Sequence, residues 1–599
     1  MKNNLFSHKF FSIAILLLAA FLRLYGLGLN PIGMSHDDEL QELINAKSIA
    51  MTGQPSFSMA AGIFSSIKNC PGNCVYGELG SFILIPWMRV FPLDLFWSKI
   101  PFVLASLGVV YFTGKLFENL SNSQKVGLIS AFIVAINPWA IHFGRTAYFT
   151  TFSYTFYISA AYFFTRRKSL KSNVLRGTIF SIIASLFYFG TKPILPFIVV
   201  WGLLYNIYTF RKFDLKFNLL IVALCASIIG LYLFLLSQTF AGRRISEVGL
   251  GSIYNIESIV DEQRRISLEI PFVRDIFINK LTVQAGIVLE KYLGFFSPVF
   301  LYVKSIGSTD LYYVSNHAYN YVIDFPFLML GVMAMASGFL TGIFTLSLVG
   351  LAISPAAIKV TGDTIYTLRT GLAYPLLSGI TGWGIYYMHQ KILRFQKTSD
   401  WAKKFSLSKL FIILIGLTYT VSLIYFLVMY WSRVPIDKSQ GWYLHKRVLA
   451  NYIQRVKNEN GGRIFVVTAQ PADTFNTYIF YSGKYDNKET ILEINSVYAS
   501  QNYEYKGATF TNDCGQNLTN EYKNGTTIFI EQGSNCSLDS PSVKIANPKD
   551  AGGLYNIHNE TLCSNFPKNK YPYPRNLEDF QIEKMTKEDF CIKWITNPD

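Results

Sequence analysis

Apolar runs of roughly 18–20 residues, each long enough for one membrane-spanning helix, recur along the first 432 positions of this chain and then stop. A chain patterned this way reads as a polytopic helical membrane protein. After about Arg433 the texture changes: Asn, Gly and Lys become frequent, and no further spanning run follows. The 599 residues therefore divide into a membrane domain, 1–432, and a water-soluble tail, 433–599. A hydrophobic content of 51% and a mean hydropathy of +0.27 exclude an ordinary soluble protein.

The formal net charge of +16 could suggest nucleic acid, but its placement points elsewhere. Much of the excess lies in two polar loops, Arg166 to Arg176 and Lys391 to Lys409. Basic clusters beside spans hold loops on the cytoplasmic side, so no nucleic-acid partner is expected. Lys2 and Lys9 place the N-terminus inside as well. The first run, Phe10 to Leu27, lacks a small-residue cleavage site, which marks a retained helix rather than a signal peptide.

Parity sets the expected threading. A first crossing at about 10–28 opens a first outer loop, 28–99. Within it, Leu79 to Phe96 contains Pro86, Arg89, Pro92 and Asp94. A span there would put Arg166 to Arg176 outside, so this stretch reads as an interfacial helix on the outer surface. Spans follow at about 100–117, 127–144, 149–165, 177–190, 193–210 and 217–237, and then a long outer loop, 238–325. Pro326 to Ile358 is expected to form a hairpin of two short spans turning near Gly338 to Gly342. Spans at about 370–388 and 410–431 bring the count to about eleven and leave the tail extracytoplasmic, as in a multi-pass plasma-membrane protein.

The cysteines agree with this threading. Cys70, Cys74, Cys514, Cys536, Cys563 and Cys591 all fall in segments assigned outside, where disulfides form, and Cys225 alone lies in a span. Cys70-Pro-Gly-Asn-Cys74 reads as a local disulfide ahead of zinc ligands or a redox pair, and the tail cysteines as two bridges of undetermined pairing. The tail itself reads as a small α/β domain. Trp442 to Lys457 has helical spacing, and Arg463–Thr468 and Thr526–Glu531 are strand-like. Sequons at Asn517, Asn524, Asn535 and Asn559 are common by chance in so Asn-rich a segment.

Three features could carry chemistry. The first is Ser35-His-Asp-Asp-Glu39 at the head of a helical stretch. Ser35 can cap it, Gly53 can end it, and Leu40, Leu43, Ala46, Ile49 and Ala50 give one apolar stripe. An amphipathic helix lying on the outer leaflet accounts for everything except the surplus acid. One acid suffices for a cap, yet Asp37, Asp38, Glu39 and Glu42 are all present beside His36.

The second feature is Asn137-Pro-Trp through Arg145, at the outer end of the third span. An arginine there is either a phosphate-binding fork or a side chain snorkelling to headgroups. Lys192 and Arg369, also near outer span ends, have the same two readings. The third runs from Lys291 to Tyr302 and on through His317 to Tyr321. Its aromatics form a membrane-interface belt or line a site for a sugar or prenyl chain under a long loop. Acid, cations and aromatics thus converge on the outer face, as transfer from a lipid phosphate requires. No phosphate-cradling glycine loop or His-Glu-x-x-His motif supports nucleotide hydrolysis or zinc proteolysis.

At these residues the chain resembles a GT-C-type integral-membrane glycosyltransferase, in the bacterial group related to protein O-mannosyltransferases and the lipid A aminoarabinose transferase. Arg23-Leu followed by Asp38-Glu39 and Gly53 is similar to that family's first outer loop. Asn137-Pro-Trp to Arg145-x-Ala147, Tyr292-Leu-x-x-Phe-Ser-Pro-x-x-Leu301 with His317, and Ser354-Pro355 to Arg369 and Pro375 continue the match in order. The resemblance implies a polyprenyl-phosphate-linked sugar as donor, a protein, glycan or lipid acceptor, and inverting displacement at the anomeric carbon. Carried over, Asp38 is the catalytic carboxylate with Glu39 as its motif neighbour. Arg145, Lys192 and Arg369 hold the departing lipid phosphate, and His317 lies in the loop above.

Two departures qualify the match. The position usually occupied by Tyr, four after Asp38, is Glu42, and Tyr148-Phe-Thr-Thr-Phe152 has no second acid. Asp37 or Glu78 could substitute, and a divalent metal, if one is used, would draw on Asp37 and Asp38. Two readings compete with single-sugar transfer: an oligosaccharide transferase of the same fold, and, from another class, a polyprenyl-lipid transporter or flippase. A transporter should carry repeat symmetry and charged spans at mid-membrane; here the ionisable residues cluster at the outer boundary. A non-catalytic lipid-binding scaffold is a third.

Overall fold

The computed structural model describes residues 2–34, 37–56, 79–211, 215–237, 256–268, 272–304, 317–336, 338–354, 367–398, 406–459, 462–514, 527–533, 536, 538, 540–549, 553–572 and 574–598. For Asp37 and Asp38 the description stops at the backbone.

The first part of the chain is a bundle of apolar helices. α1 (Lys2–Leu24) leads through a turn-rich segment to α2 (Asp37–Thr52), the acidic helix. α3 (Gly80–Val90) and α4 (Leu95–Ser121) follow. The stretch expected as one interfacial helix over 79–97 is thus split. Asp94 accepts from Trp97 N at 2.7 Å and starts α4 five residues before the expected 100. The expected span 127–144 is likewise two helices, α5 (Gln124–Ile136) and α6 (Pro138–Phe143). Asn137 breaks them apart because its side chain caps Ala140 N and Pro138 cannot continue the ladder of α5.

α7 (Thr150–Thr165), α9 (Ile194–Phe210) and α10 (Leu215–Ser237) fall where expected, whereas α8 (Leu170–Ser185) starts seven residues before the expected 177 and ends five before 190, so Leu170 to Arg176 of the expected basic loop is helical. α11 (Ile256–Arg265) and α12 (Lys280–Gly294) occupy the segment expected as a long outer loop. Lys280–Val303 is one of four helical stretches among the described residues long and apolar enough to cross a membrane, the others being Leu95–Ser121, Phe189–Phe210 and Leu407–Ser432. The loop reading of 280–303 is corrected to helix. Lys291 and Glu290, which give it a polar look in sequence, interrupt an otherwise apolar run.

α13 (Asp324–Ala336) and α14 (Phe339–Ile353) form the expected pair of short helices, and Gly338 N donates to Met335 O between them. α15 (Thr367–Thr370) precedes α16 (Ala373–Thr398), which runs a further ten residues into the basic segment, and α17 (Leu407–Ser432) ends the bundle. Tyr419 Oη donates to Asp324 Oδ1 at 2.6 Å and ties α17 to the head of α13.

The tail is an α/β domain as expected. α18 (Leu444–Glu459), α19 (Pro471–Tyr481), α20 (Lys488–Ser500) and α21 (Lys587–Trp594) pack about a seven-stranded sheet. Its order is β2-β3-β1-β4-β6-β5-β7, from β1 (Arg463–Val467), β2 (Glu504–Tyr505), β3 (Ala508–Thr511), β4 (Thr527–Gln532), β5 (Val543–Ala546), β6 (Gly553–His558) and β7 (Ile595–Thr596). β1 runs parallel to β3 and β4, and the remaining pairs are antiparallel. Burial on both faces explains the continuous apolar run Ile464-Phe-Val-Val467 at the centre. The tail cysteines pair as Cys514–Cys536 and Cys563–Cys591. Cys70, Cys74 and the sequons at Asn517, Asn524 and Asn535 lie outside the described residues; Asn559 donates its amide to Thr527 O at 3.1 Å.

One hydrophobic core runs across the junction of the two parts. Leu40, Leu43 and Ile44 of α2 share it with Leu84 and Met88 of α3 and with Tyr478, Ile491 and Ile494 of the soluble domain. The expectation that α2 lies on the outer leaflet is therefore corrected. From Glu39 to Ala50 only Gln41 and Ile49 keep partial exposure, because α3 covers one side of the helix and α19 and α20 cover the other. Burying each large apolar side chain there contributes about 1.5–3 kcal/mol, which protein rather than lipid supplies. Gly53, at φ +75°, ends the helix by donating to Ile49 O, as expected; Ser35 and His36 lie outside the described residues.

Candidate active site

The acids come first. Asp37, Asp38 and Glu39 form the opening turn of α2, and Glu42 stands one turn further on. Glu39 and Glu42 are both buried. The Glu42 carboxylate is pressed against Gly80, the first residue of α3, where a Cβ would collide with it. A carboxylate is favoured there by the positive end of the helix. Ser81 Oγ donates to Glu42 O at 3.2 Å, and Asn45 Nδ2 to Ser81 Oγ at 3.3 Å, so α2 and α3 are stitched together along the polar face. Lys47 Nζ donates to Met88 O and Phe91 O and pairs with Asp486 at 3.0 Å. Glu78 lies outside the described residues.

Arg369, one of the three expected phosphate cations, lies against the turn that leads into another, Lys192. Phe189–Thr191 forms a single 3-10 turn leading into Lys192 and α9. A Cβ on Gly190 would stand 3.3 Å from Arg369 Nε, so the α15 arginine reaches the turn that presents Lys192. α7 fixes both partners. Ser153 Oγ meets Thr191 Oγ1 at 2.7 Å, and Tyr157 Oη donates to Thr191 O at 2.9 Å. Tyr154 Oη donates to Leu368 O, next to Arg369. Tyr319 Oη reaches Thr367 Oγ1 at 3.4 Å from the opposite side. The entry of α3, which packs on the acidic helix, is tied to the segment before the turn: Leu79 N donates to Leu186 O, three residues before Phe189, at 2.9 Å.

Arg145 does something else. It is fully buried, and its guanidinium donates to Leu22 O, Arg23 O, Tyr25 O, Gly26 O and Asn30 O. These are carbonyls at the C-terminus of α1 and in the turn beyond, where a cation is well placed. The ring of Trp431 lies 4.8 Å from its Cζ. The reading of Arg145 as a phosphate ligand is thus corrected: all of its nitrogens are committed to the α1 end. Arg23, also fully buried, donates to Ser106 Oγ and to Ala135 O in the same region.

His317 is nearly buried among Tyr321, Tyr425 and Phe426, with Nδ1 2.7 Å from Ala318 O. Burial pushes its imidazole below the ordinary range. Two of the rings around it, Tyr425 and Phe426, belong to α17. Its neighbours Tyr319 and Asn320 do face inward: Trp139 N donates to Tyr319 O, and Asn137 Nδ2 donates to Asn320 Oδ1 at 2.9 Å.

For a divalent metal, no group of three or more His, Cys, Asp or Glu among the described residues is placed to hold one, and the Asp37 and Asp38 carboxylates lie outside that search. The α7 hydroxyls are the contributors that sequence reasoning missed. The signal was present: Thr150, Thr151, Ser153, Tyr154, Thr155 and Tyr157 put six hydroxyls into the first half of a span.

No family model matches the chain, and no curated protein does. Solved structures similar to it over more than nine tenths of its length are ArnT and AglB, both GT-C glycosyltransferases. ArnT from Cupriavidus metallidurans in the apo state is 12% identical, with a TM-score of 0.47, over 92% of this chain and 97% of that one. The same protein bound to undecaprenyl phosphate is 11% identical, with a TM-score of 0.46, over 92% and 98%. The archaeal oligosaccharyltransferase AglB from Archaeoglobus fulgidus, in complex with an inhibitory peptide and a dolichol-phosphate, is 11% identical, with a TM-score of 0.45, over 94% and 75%. At TM-scores below 0.5, none of these likenesses carries the functional reading.

Proposed function

We propose that this chain is a membrane glycosyltransferase that moves a sugar from a polyprenyl-phosphate donor to an acceptor hydroxyl at the α2 end of the bundle. The observation that carries the reading is the approach of Arg369, 177 positions from Lys192 in sequence, to the turn that leads into Lys192, while Leu79, at the head of the helix packed on the acidic one, bonds to Leu186 O before that turn. Buried hydrogen bonds fix the residues preceding the two cations, Thr191 and Leu368, and cations on a fixed backbone are pre-organised for the charge that develops on a departing phosphate. The acceptor oxygen attacks the anomeric carbon as the bond from that carbon to the phosphate oxygen breaks, so the sugar inverts. The acceptor's proton passes to the Asp38 carboxylate, and polyprenyl phosphate leaves against Lys192 and Arg369. Glu39 and Glu42 stay on the support side of α2. The acidic helix faces the extracytoplasmic side in this reading. A divalent ion, where the reaction takes one, is held by Asp37 and Asp38.

The experiment is sugar transfer by purified protein with a panel of polyprenyl-phosphate sugars, comparing wild type with Asp38→Asn. The variant is expected to lose transfer and donor hydrolysis by at least about a hundredfold, as for removal of a general base. Equal rates in the two proteins would sink the assignment. Transport of the intact lipid by both, with no sugar released, would favour the transporter.

A further inference from the structure

Resting on the proposed transferase, we infer that Arg447 of the soluble domain is a positioning residue for the site, acting through the backbone that leads into the acidic helix. Arg447 is almost wholly buried. Its Nη1 donates across the junction to Ile32 O, five residues before Asp37. Its Nε and Nη2 grip both carboxylate oxygens of Glu583 at 2.7 and 2.6 Å, and Asn451 Nδ2 lies 3.4 Å from the same carboxylate. The ring of Tyr481 stands 5.4 Å from its Cζ.

The Glu583 pair therefore leaves one direction of the guanidinium to spend, and that direction points out of the soluble domain. A planar fork anchored on two sides transmits a fixed geometry to the third, which a lysine does not. Next to this bond the two parts close to backbone contact: a Cβ on Gly33 would collide with Trp442 O. Ile32 and Met34 are buried beneath it. A cleft of about 480 Å3, lined by Gly28, Leu29, Tyr481 and Lys584 among others, adjoins Arg447, so truncating the side chain would let water reach Ile32 O. In the transferase reading, Arg447 contacts neither donor nor acceptor. It holds 30–34 so that Asp38 meets the phosphate turn in register.

Hydrogen exchange on the full-length membrane protein tests this directly, because it reads 27–34 whether or not the protein turns over. Arg447→Met is expected to speed exchange in 27–34 at least about tenfold, which reports local opening, while β1 of the soluble domain keeps its protection. In kinetics kcat should fall about tenfold, equivalent to ~1.4 kcal/mol, with the donor KM unchanged. Glu583→Gln, which keeps the shape of the partner and removes its charge, should shift both readouts in the same direction by less. Asn495→Ala, which removes a 2.9 Å bond to Ser48 Oγ elsewhere on the junction, should shift neither at 27–34. Unchanged exchange in 27–34 for both Arg447→Met and Glu583→Gln would overturn the inference. Should Arg447→Met fail to fold, unchanged exchange in Glu583→Gln alone overturns it. A wild-type protein that transfers no sugar would overturn the proposed function, while the exchange result still decides the clamp.

Discussion

Tyr157 Oη donates to Thr191 O at 2.9 Å from the middle of α7, and the residue it holds is the one before Lys192. A hydroxyl inside an apolar helix is thereby matched to a buried carbonyl that no helix ladder uses. The bond has a direct kinetic reading. Tyr157→Phe leaves that carbonyl unsatisfied, at about 1–3 kcal/mol, and loosens the turn. Donor-dependent transfer is expected to fall severalfold in initial-rate assays; an unchanged rate would show that the turn does not place Lys192.

Lys192 and Arg369 should behave as one unit. If both meet the leaving phosphate, the losses from Lys192→Met and Arg369→Met will not add, and a double-mutant cycle should give a coupling of at least about 0.5 kcal/mol. Measured on transfer rate, simple additivity would mean that the two cations serve different groups.

Arg145 is expected to act on stability. Arg145→Lys keeps the charge but cannot reach five carbonyls, and breaking such a buried set costs about 3–5 kcal/mol. Thermal unfolding should shift strongly downward. A variant as stable as wild type but unable to bind donor would restore Arg145 to the phosphate.

The Arg447–Glu583 pair has a defined pH behaviour. Partial burial alone would raise the Glu583 carboxyl, but the Arg447 charge and its hydrogen bonds outweigh this and hold it below the ordinary range. A lowered carboxylate pKa contributes stability that is present above the unfolded value, near 4.5, and lost as pH falls through the folded one. The soluble domain should therefore keep its grip from neutral pH down to about 5 and loosen only below that. Unfolding curves of wild type and Glu583→Gln should converge in acid and separate above it; parallel curves would contradict the pair.

Much of this was legible in the residues. The apolar runs place most of the bundle helices, and strand-like Arg463–Thr468 and Thr526–Glu531 land on β1 and β4. Gly53 marks the end of α2, and Asn137-Pro138 carries the break in the third span in plain view, as a cap followed by a residue without an N–H. Periodicity failed where the covering surface comes from far along the chain. The stripe of α2 looks the same whether lipid or Tyr478 and Ile491 covers it, and those residues lie more than 400 positions away. Arg145 failed for a related reason: phosphate oxygens and helix-end carbonyls ask for the same fork, and only the fold distinguishes them.

The bond from Arg447 to Ile32 spans 415 positions of chain. At roughly 5–20 residues per second, synthesis would reach Arg447 some 20–80 s after Ile32. Every helix of the bundle after α1 lies between the two. The acidic helix therefore meets its final surroundings only once the last span is made, and a chain cut short anywhere before the soluble domain carries its acids without the surface that seats them. Assembly order is thus written into the architecture: the earliest loop to be made is the last to be completed.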